Sequence, residues 1–172
     1  DNTNEVVKEY LSLSGTMTNC AGGPSPWNTW LTCEENTSKN KKEGISHGYV
    51  FEVDPKKDYL QRPVPLKNMG RFSHEAVAFD RHGFAYLTED RSDGLLYKFI
   101  PNQKNSLDEG DLYALKIKHQ DSRNWKKDNI SVGEEFSVEW VRLEDPNPDD
   151  DTLRKTGHEK GATIFARGEG IT

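Results

Sequence analysis

The chain has 172 residues, of which 33% are hydrophobic, 30% charged and 10% aromatic, and its formal net charge is −6. This length allows a domain with a buried core, and the aromatic content argues against intrinsic disorder. The acidic balance argues against a nucleic-acid partner, because phosphate backbones are bound by clustered Lys and Arg, and no apolar run is long enough to predict a membrane span.

Short strands separated by turns are predicted along most of the chain. Residues 1–18 alternate weakly, as an outer strand would, and residues 22–26 form a turn by composition. A hairpin turn is predicted at 80–83. The predicted strands that follow residue 26 are 27–32, 49–53, 76–79, 84–88, 95–100, 112–118 and 136–143. No amphipathic helix is evident, so the pattern predicts an all-β fold.

Part of the sequence is repeated after about 56 residues. One copy occupies 19–55, a second occupies 74–101, and an incomplete third begins at Ala162. Four strands in a repeat of roughly 50 residues is the blade size of a β-propeller, which needs at least four blades to close. We therefore expect a partial propeller that belongs to a longer protein. Its expected parts are about two blades in 19–118, an irregular acidic insertion in 119–160 and the start of a further blade in 161–172.

The repeat places potential metal ligands at equivalent positions. In a propeller, the start of the innermost strand and the end of the second strand lie on one face. The starts carry Cys20, Glu75 and Glu169, and the ends carry Glu34, Glu35, Glu89 and Asp90. So many like charges are unfavourable unless cations compensate them. Thiolate with carboxylate suits a ferric or borderline metal, and the remaining carboxylates suit calcium.

Several of these residues also have ordinary structural interpretations. Cys20 and Cys33 are compatible with a disulfide, with inert thiols or with metal ligation, although Cys33 follows a strand pattern typical of a core residue. His74 either orients Glu75 or caps its strand. Arg167 is a candidate for binding phosphate or carboxylate through two parallel hydrogen bonds, and Arg71 is a weaker candidate for the same role.

The motifs taken together resemble one family. They are 19–23, 26–36, 70–76, 86–90 and 165–170, which span most of the chain. In this order they are similar to the PhoX-type alkaline phosphatases, and the block from Asn19-Cys20-Ala21-Gly22-Gly23 to Thr32-Cys33-Glu34-Glu35 is the most specific part. The departure from the family is length, because the later blades are absent from this sequence.

The resemblance implies a six-bladed propeller that holds an oxide-bridged diferric cluster with calcium ions at the channel mouth. It implies hydrolysis of phosphomonoesters in the periplasm or outside the cell, after export in folded form, by a monomer. Carried over by motif position, the metal ligands are Cys20, Glu35, Glu75 and Glu169, and Arg167 binds the substrate phosphate. Glu34, Glu89 and Asp90 are weaker metal candidates. The isolated piece is expected to be inactive.

Two other functions remain open. One is a non-catalytic calcium-binding propeller that presents a surface to a partner. The other is a calcium-dependent lactonase or esterase. A calcium-binding module would not require the thiol of Cys20 or the guanidinium of Arg167. Their presence therefore favours the phosphatase.

Overall fold

Short antiparallel strands make up most of the regular structure. The computed structural model describes residues 5–40, 44–118, 121–125 and 130–172. The strands are β1 (Gly23–Pro24), β2 (Trp30–Cys33), β3 (Lys39–Asn40), β4 (Ile45–Ser46), β5 (Val50–Val53), β6 (His74–Phe79), β7 (Ala85–Glu89), β8 (Leu96–Pro101), β9 (Gly110–Lys116) and β10 (Glu139–Leu143). A 3-10 turn at Lys67–Met69 and one helix, α1 (Leu153–Glu159), complete these ranges. The predicted all-β class is confirmed.

The strands form two main sheets and a small hairpin. The first sheet has the order β1-β2-β5, the second has the order β10-β9-β8-β7-β6, and β3 pairs with β4. All pairs of named strands are antiparallel. The sequence predicted four strands per repeat, whereas the sheets have three and five. The fifth strand, β10, comes from 119–160, so the described part of that segment is not wholly irregular.

Residues from both sheets enter one hydrophobic core. Inward and outward positions alternate along β7 and β8, as expected for strands with one buried face. The core residues include Leu31, Cys33, Val50, Phe72, Val77, Leu87, Tyr97, Phe99 and Leu112. The two sheets therefore pack against each other, and this packing fixes the position of the first repeat relative to the second.

The first strands of the two repeats, β1 and β6, lie side by side. Gly22 forms a parallel bridge with Ala76, donating its N–H to the Glu75 carbonyl, and Val77 donates to the Gly22 carbonyl. A side chain at Gly22 has no space, because its Cβ would lie 1.9 Å from the Leu31 oxygen. Gly22 also has a φ of +79°, which favours glycine. Gly22 thus allows a close approach to β2 within the first repeat. The close approach of the two repeats depends on Gly23, whose Cβ would lie 2.0 Å from the Val77 oxygen.

The helix α1 was not predicted from the sequence. It has only seven residues and contains Gly157, so its intrinsic propensity is weak. Tertiary contacts stabilise it instead: Leu153 is buried, and Arg154 makes an ion pair with Asp93 at 2.9 Å. No helix within the described ranges has the length and apolar character needed to cross a bilayer.

The predicted outer strand near the N-terminus is wrong for the residues that the structure describes. Residues 5–12 form no strand, and only Leu13 makes an isolated bridge, to Gln61. Val6 and Val7 are exposed, so their apolar pattern is not used in the described fold. Residues 1–4 of this prediction, and 119, 120 and 126–129 of the predicted insertion, lie outside the described residues.

Candidate active site

Three predicted ligands meet at one end of the sheets. Ligand atoms of Cys20, Glu35 and Glu75 all lie within 4.8 Å of one another. Cys20 precedes β1, Glu35 follows β2, and Glu75 lies in β6, so both repeats contribute. The thiol and two carboxyl groups are thus brought together from positions far apart in the sequence.

The backbone around Cys20 is fixed by the strand that ends at Cys33. Cys20 donates its N–H to the Cys33 carbonyl at 2.8 Å, and both thiols are free. Cys33 is fully buried in the core, as its strand pattern predicted. The Cys20 thiol donates to Glu75 Oε1 at 3.0 Å, and this hydrogen bond is the main reason that the pKa of Cys20 rises to about 11. Without a cation, the thiol therefore holds its proton.

Glu75 lies at an irregularity in its strand. The β6–β7 register shifts between His74 and Val77, which is the mark of a bulge. Bulges occur next to active sites because the extra residue redirects a side chain. Here the irregular register accompanies a buried Glu75 whose carboxyl group meets Cys20.

Glu35 connects this group to a second carboxyl. A hydrogen bond with Asp90 is the main reason that the pKa of Glu35 is raised, followed by burial and by the negative charges of Glu75, Asp90 and Glu169. Asp90 follows β7 and is itself buried. Negative charges held this close oppose one another, which favours the protonated form of Glu35.

Arg167 lies beside Asp90. Its Nε is 3.0 Å from Asp90 Oδ1, which is an ion-pair distance, but the contact lacks the geometry of a hydrogen bond. The Arg167 side chain is 61% exposed, so its other nitrogens are accessible. Glu169 is exposed and acts on Glu35 through its charge. All five main candidates thus lie in or beside one cluster.

The sequence model of one family, described as alkaline phosphatase PhoX, matches residues 2–172. The chain belongs to the PhoX alkaline phosphatase family. A search of curated proteins finds no match. A solved structure with a similar fold is Pseudomonas fluorescens PhoX in complex with vanadate, a transition state analogue, with a TM-score of 0.63 and 22% identity.

The aligned region covers 92% of this chain and 38% of the Pseudomonas fluorescens chain. The chain therefore spans well under half the length of that PhoX protein.

The donor set of this PhoX-family chain fits metal ions. One thiol and several carboxyls converge, and the pKa values of Cys20 and Glu35 are raised by their hydrogen bonds to Glu75 and Asp90, by burial and by nearby negative charges. Asp90 Oδ1 is buried without a hydrogen-bond partner. A cation would favour the ionised form of each group and give this oxygen a partner. Thiolate and carboxylate ligands suit iron, and carboxylates alone suit calcium.

Glu34 does not join the cluster. Its buried carboxylate accepts hydrogen bonds from the backbone N–H groups of Met17, Gly48 and Tyr49 and lies 2.7 Å from Nδ1 of His47. Neighbouring side chains in extended backbone point to opposite sides, so Glu35 faces the cluster when Glu34 faces inward. These contacts give Glu34 a structural role, because its carboxylate fixes the backbone of residues 47–49.

We expect Glu34→Gln to lower the free energy of unfolding by about 3 kcal/mol, because its amide would face buried donors that need an acceptor. Glu35→Gln is the matched control, and with metals removed from the protein it should change the free energy of unfolding by less than about 0.5 kcal/mol or increase it, since it removes like-charge repulsion. Urea unfolding of both variants measures the difference. Equal losses of stability would contradict this division of roles.

Glu89 also points away from the metal-ligand cluster. Its Oε2 accepts hydrogen bonds from Tyr97 Oη at 2.9 Å and from the Leu95 N–H at 3.1 Å, and Arg154 lies 3.9 Å from Oε1. Burial is the main reason that the pKa of Glu89 rises to about 7. These contacts favour a structural role in joining β7, β8 and α1.

Arg71 and His74 have structural roles in the described fold. The Arg71 guanidinium is buried and donates to the carbonyls of Thr37, Pro148 and Asp149. The prediction that Arg71 is a weaker candidate for binding phosphate is therefore wrong, because its guanidinium anchors the acidic loop at residues 145–151. His74 stacks on Phe72 and its Nε2 pairs with the Gly70 carbonyl, while burial lowers its pKa to about 3.

Ser73 and Thr88 support the site through hydrogen bonds, and neither residue was predicted from the sequence. The Ser73 hydroxyl donates to the Glu35 carbonyl at 2.9 Å, and its own carbonyl accepts from the Asp90 N–H. Thr88 contacts the backbone of both Ala76 and Glu169. The repeat contained a sequence signal for Thr88, because Leu87-Thr88 occupies the position that Leu31-Thr32 occupies in the first copy.

Proposed function

We propose that this chain is part of a metal-dependent alkaline phosphatase that hydrolyses phosphomonoesters. The observation that carries the proposal is the convergence of Cys20, Glu35 and Glu75 within 4.8 Å, beside an exposed arginine. Membership of the PhoX family supports the same activity. The proposed metals are ferric iron and calcium.

In this proposal Cys20, Glu35, Glu75 and Glu169 hold the metals, with Asp90 as a further candidate. When bound, the metal ions supply positive charge that neutralises the phosphate and stabilises the leaving oxygen. A bound cation would favour the ionised forms of Glu35 and Cys20, whose pKa values are raised in its absence. The chain contributes both the negative ligands and their fixed spacing.

Arg167 recognises the substrate. Its Nε contacts Asp90, so the two terminal nitrogens remain to donate parallel hydrogen bonds to phosphate oxygens. Because Asp90 is buried and its N–H is bonded to Ser73, it offers a fixed anchor for a long side chain. Such a placed donor pair stabilises the charge that develops on the transferring phosphoryl group.

The larger architecture is also proposed. A six-bladed propeller would place the two repeats as neighbouring blades, with β1 and β6 as adjacent inner strands around a channel. Residues 161–172 would lead into the next blade. The Thr163 N–H bonds to the Leu115 carbonyl and the Phe165 N–H to the Gly94 carbonyl, which brings this segment back to the second sheet.

We propose a periplasmic or extracellular location for the complete, monomeric enzyme.

Removal of the metals tests the proposed function. In the full-length protein, chelation should abolish hydrolysis of p-nitrophenyl phosphate and lower the melting temperature by about 5 °C, because bound ions stabilise the folded state. Readdition of both metals should restore both properties. Hydrolysis that persists after elemental analysis shows no metal would contradict the proposal. Recovery of lactone hydrolysis with calcium alone would support the esterase alternative.

A further inference from the structure

The Thr88 hydroxyl joins the backbones of two segments that carry site residues. It donates to the Glu169 carbonyl at 2.6 Å and accepts from the Ala76 N–H at 3.2 Å. Ala76 directly follows Glu75, and Glu169 follows Arg167-Gly168. A single hydroxyl therefore links the strand that holds Glu75 to the segment that holds Arg167 and Glu169.

The bulge in β6 explains why a side chain is needed at this point. The register between β6 and β7 shifts between His74 and Val77, so Ala76 is not a regular partner in the strand ladder. Its N–H would otherwise lack the acceptor that a carbonyl of β7 supplies in a regular ladder. Thr88 replaces that carbonyl with its hydroxyl oxygen and uses its own proton for Glu169.

The segment before Glu169 is held along the end of β7 by its backbone. The Arg167 N–H bonds to the Arg91 carbonyl at 2.8 Å, and the Gly168 N–H bonds to the Glu89 carbonyl at 3.1 Å. A Cβ on Gly168 would lie 3.1 Å from both the Glu89 oxygen and Thr88 Cβ, so the approach is close. The hydrogen bond from the Thr88 hydroxyl to the Glu169 carbonyl continues this series. The backbone of Glu169, a candidate metal ligand, is therefore also bound to β7.

The first repeat contains a related contact at the matching threonine, which joins two side chains rather than two backbone segments. Thr32 occupies the position of Thr88, and its hydroxyl oxygen accepts a hydrogen bond from Asn19 Nδ2 at 2.8 Å. Asn19 directly precedes Cys20. In both repeats, the threonine of the second strand thus bonds to a residue at or next to a candidate metal ligand, which argues against a chance contact at Thr88.

We propose that Thr88 is a positioning residue that sets the spacing between Glu75 and the Arg167-Gly168-Glu169 segment, and this inference rests on the proposed phosphatase function. Thr88 acts through the backbone of these residues and does not touch the substrate. Its loss should leave the fold in place but move Arg167 and Glu169 relative to Glu75. Misplacement of reacting groups by about 1 Å can lower a rate about 100-fold.

The test compares Thr88→Val with Thr88→Ser in the full-length protein. Valine keeps the branched shape and removes the hydroxyl, whereas serine keeps the hydroxyl. We expect Thr88→Val to lower kcat by about 10- to 100-fold and to weaken vanadate binding, with Thr88→Ser recovering most of both. Hydrogen exchange should be faster in the 165–170 peptide of Thr88→Val only. This last measurement does not depend on activity.

Thr29→Val is the matched control, because Thr29 precedes β2, at the end opposite Glu34-Glu35, and donates its hydroxyl proton to Glu52. It should not change kcat or exchange in the 165–170 peptide. The inference is overturned if Thr88→Val matches the parent protein in kcat and exchange, or if Thr88→Ser is as impaired as Thr88→Val. A parent protein that does not hydrolyse phosphomonoesters would instead refute the proposed function, and the exchange comparison would still test the position of the segment.

Discussion

Replacement of Arg167 by alanine in the full-length enzyme should lower kcat for phosphomonoester hydrolysis by about 100- to 1000-fold, which is the effect of removing one well-placed donor to a developing charge. The side chain is 61% exposed, and its ion-pair partner within the described part of the chain is the buried Asp90. Its loss should therefore change the melting temperature little. Arg167→Lys keeps the charge but loses the parallel donor pair, so it should recover only part of the rate.

Arg142→Ala provides the matched control for a lost arginine. Arg142 is exposed on β10 and pairs with Asp111 on the neighbouring strand β9. We expect wild-type steady-state kinetics for this variant. Arg167→Ala that retains full kcat and KM, with metals bound, would show that phosphate recognition lies elsewhere in the protein.

Replacement of Cys20 by alanine should reduce bound iron by at least about 10-fold and reduce activity in proportion. The thiol meets Glu75 at 3.0 Å and is the only sulfur in the three-residue ligand group found among the described residues. Loss of a soft ligand should affect iron more than calcium, because calcium is bound by oxygen ligands. Elemental analysis of the purified variant measures both metals.

Cys33→Ala is the control for this experiment. Cys33 is fully buried, and burial raises its pKa, so it remains a neutral core thiol. This variant should lose stability by about 1 kcal/mol through reduced packing while it retains its iron. If Cys33→Ala loses iron and Cys20→Ala keeps it, the assignment of the thiol ligand is wrong.

The sequence predicted the strands well where hydrophobic alternation was regular. The strands predicted at 49–53, 84–88 and 95–100 correspond to β5, β7 and β8 within one residue at each end. Their alternating side chains and flanking turns are local signals, and the core uses those same side chains. The repeat also predicted that Cys20 and Glu75 would have equivalent positions, and these two side chains are in contact.

The choice between adjacent acidic residues could not be made from sequence. Glu34 and Glu35 are chemically alike, and alternation predicts only that they face opposite sides. The deciding feature is the pairing of Asn19 with Glu34, which sets the register of the N-terminal segment. Register depends on contacts between distant parts of the chain, so only the folded structure distinguishes a structural carboxylate from a candidate ligand.

Tertiary contacts also decided the features that the sequence analysis missed. Arg71 donates to the carbonyls of residues 148 and 149, which lie far along the chain in the segment predicted to be an irregular acidic insertion. The helix α1 depends on Leu153 and Arg154 packing against the second sheet rather than on its own propensity. Neither partner is visible in a local window of sequence.

The most direct test of the proposed metal site is elemental analysis of the full-length protein, purified from its native source without added metals. The convergence of a thiol with carboxyls predicts that iron and calcium are both present, with calcium in excess. Calcium without iron would contradict the ferric site and favour the binding module or the lactonase. A complete, folded protein with neither metal would contradict the metal-dependent phosphatase altogether.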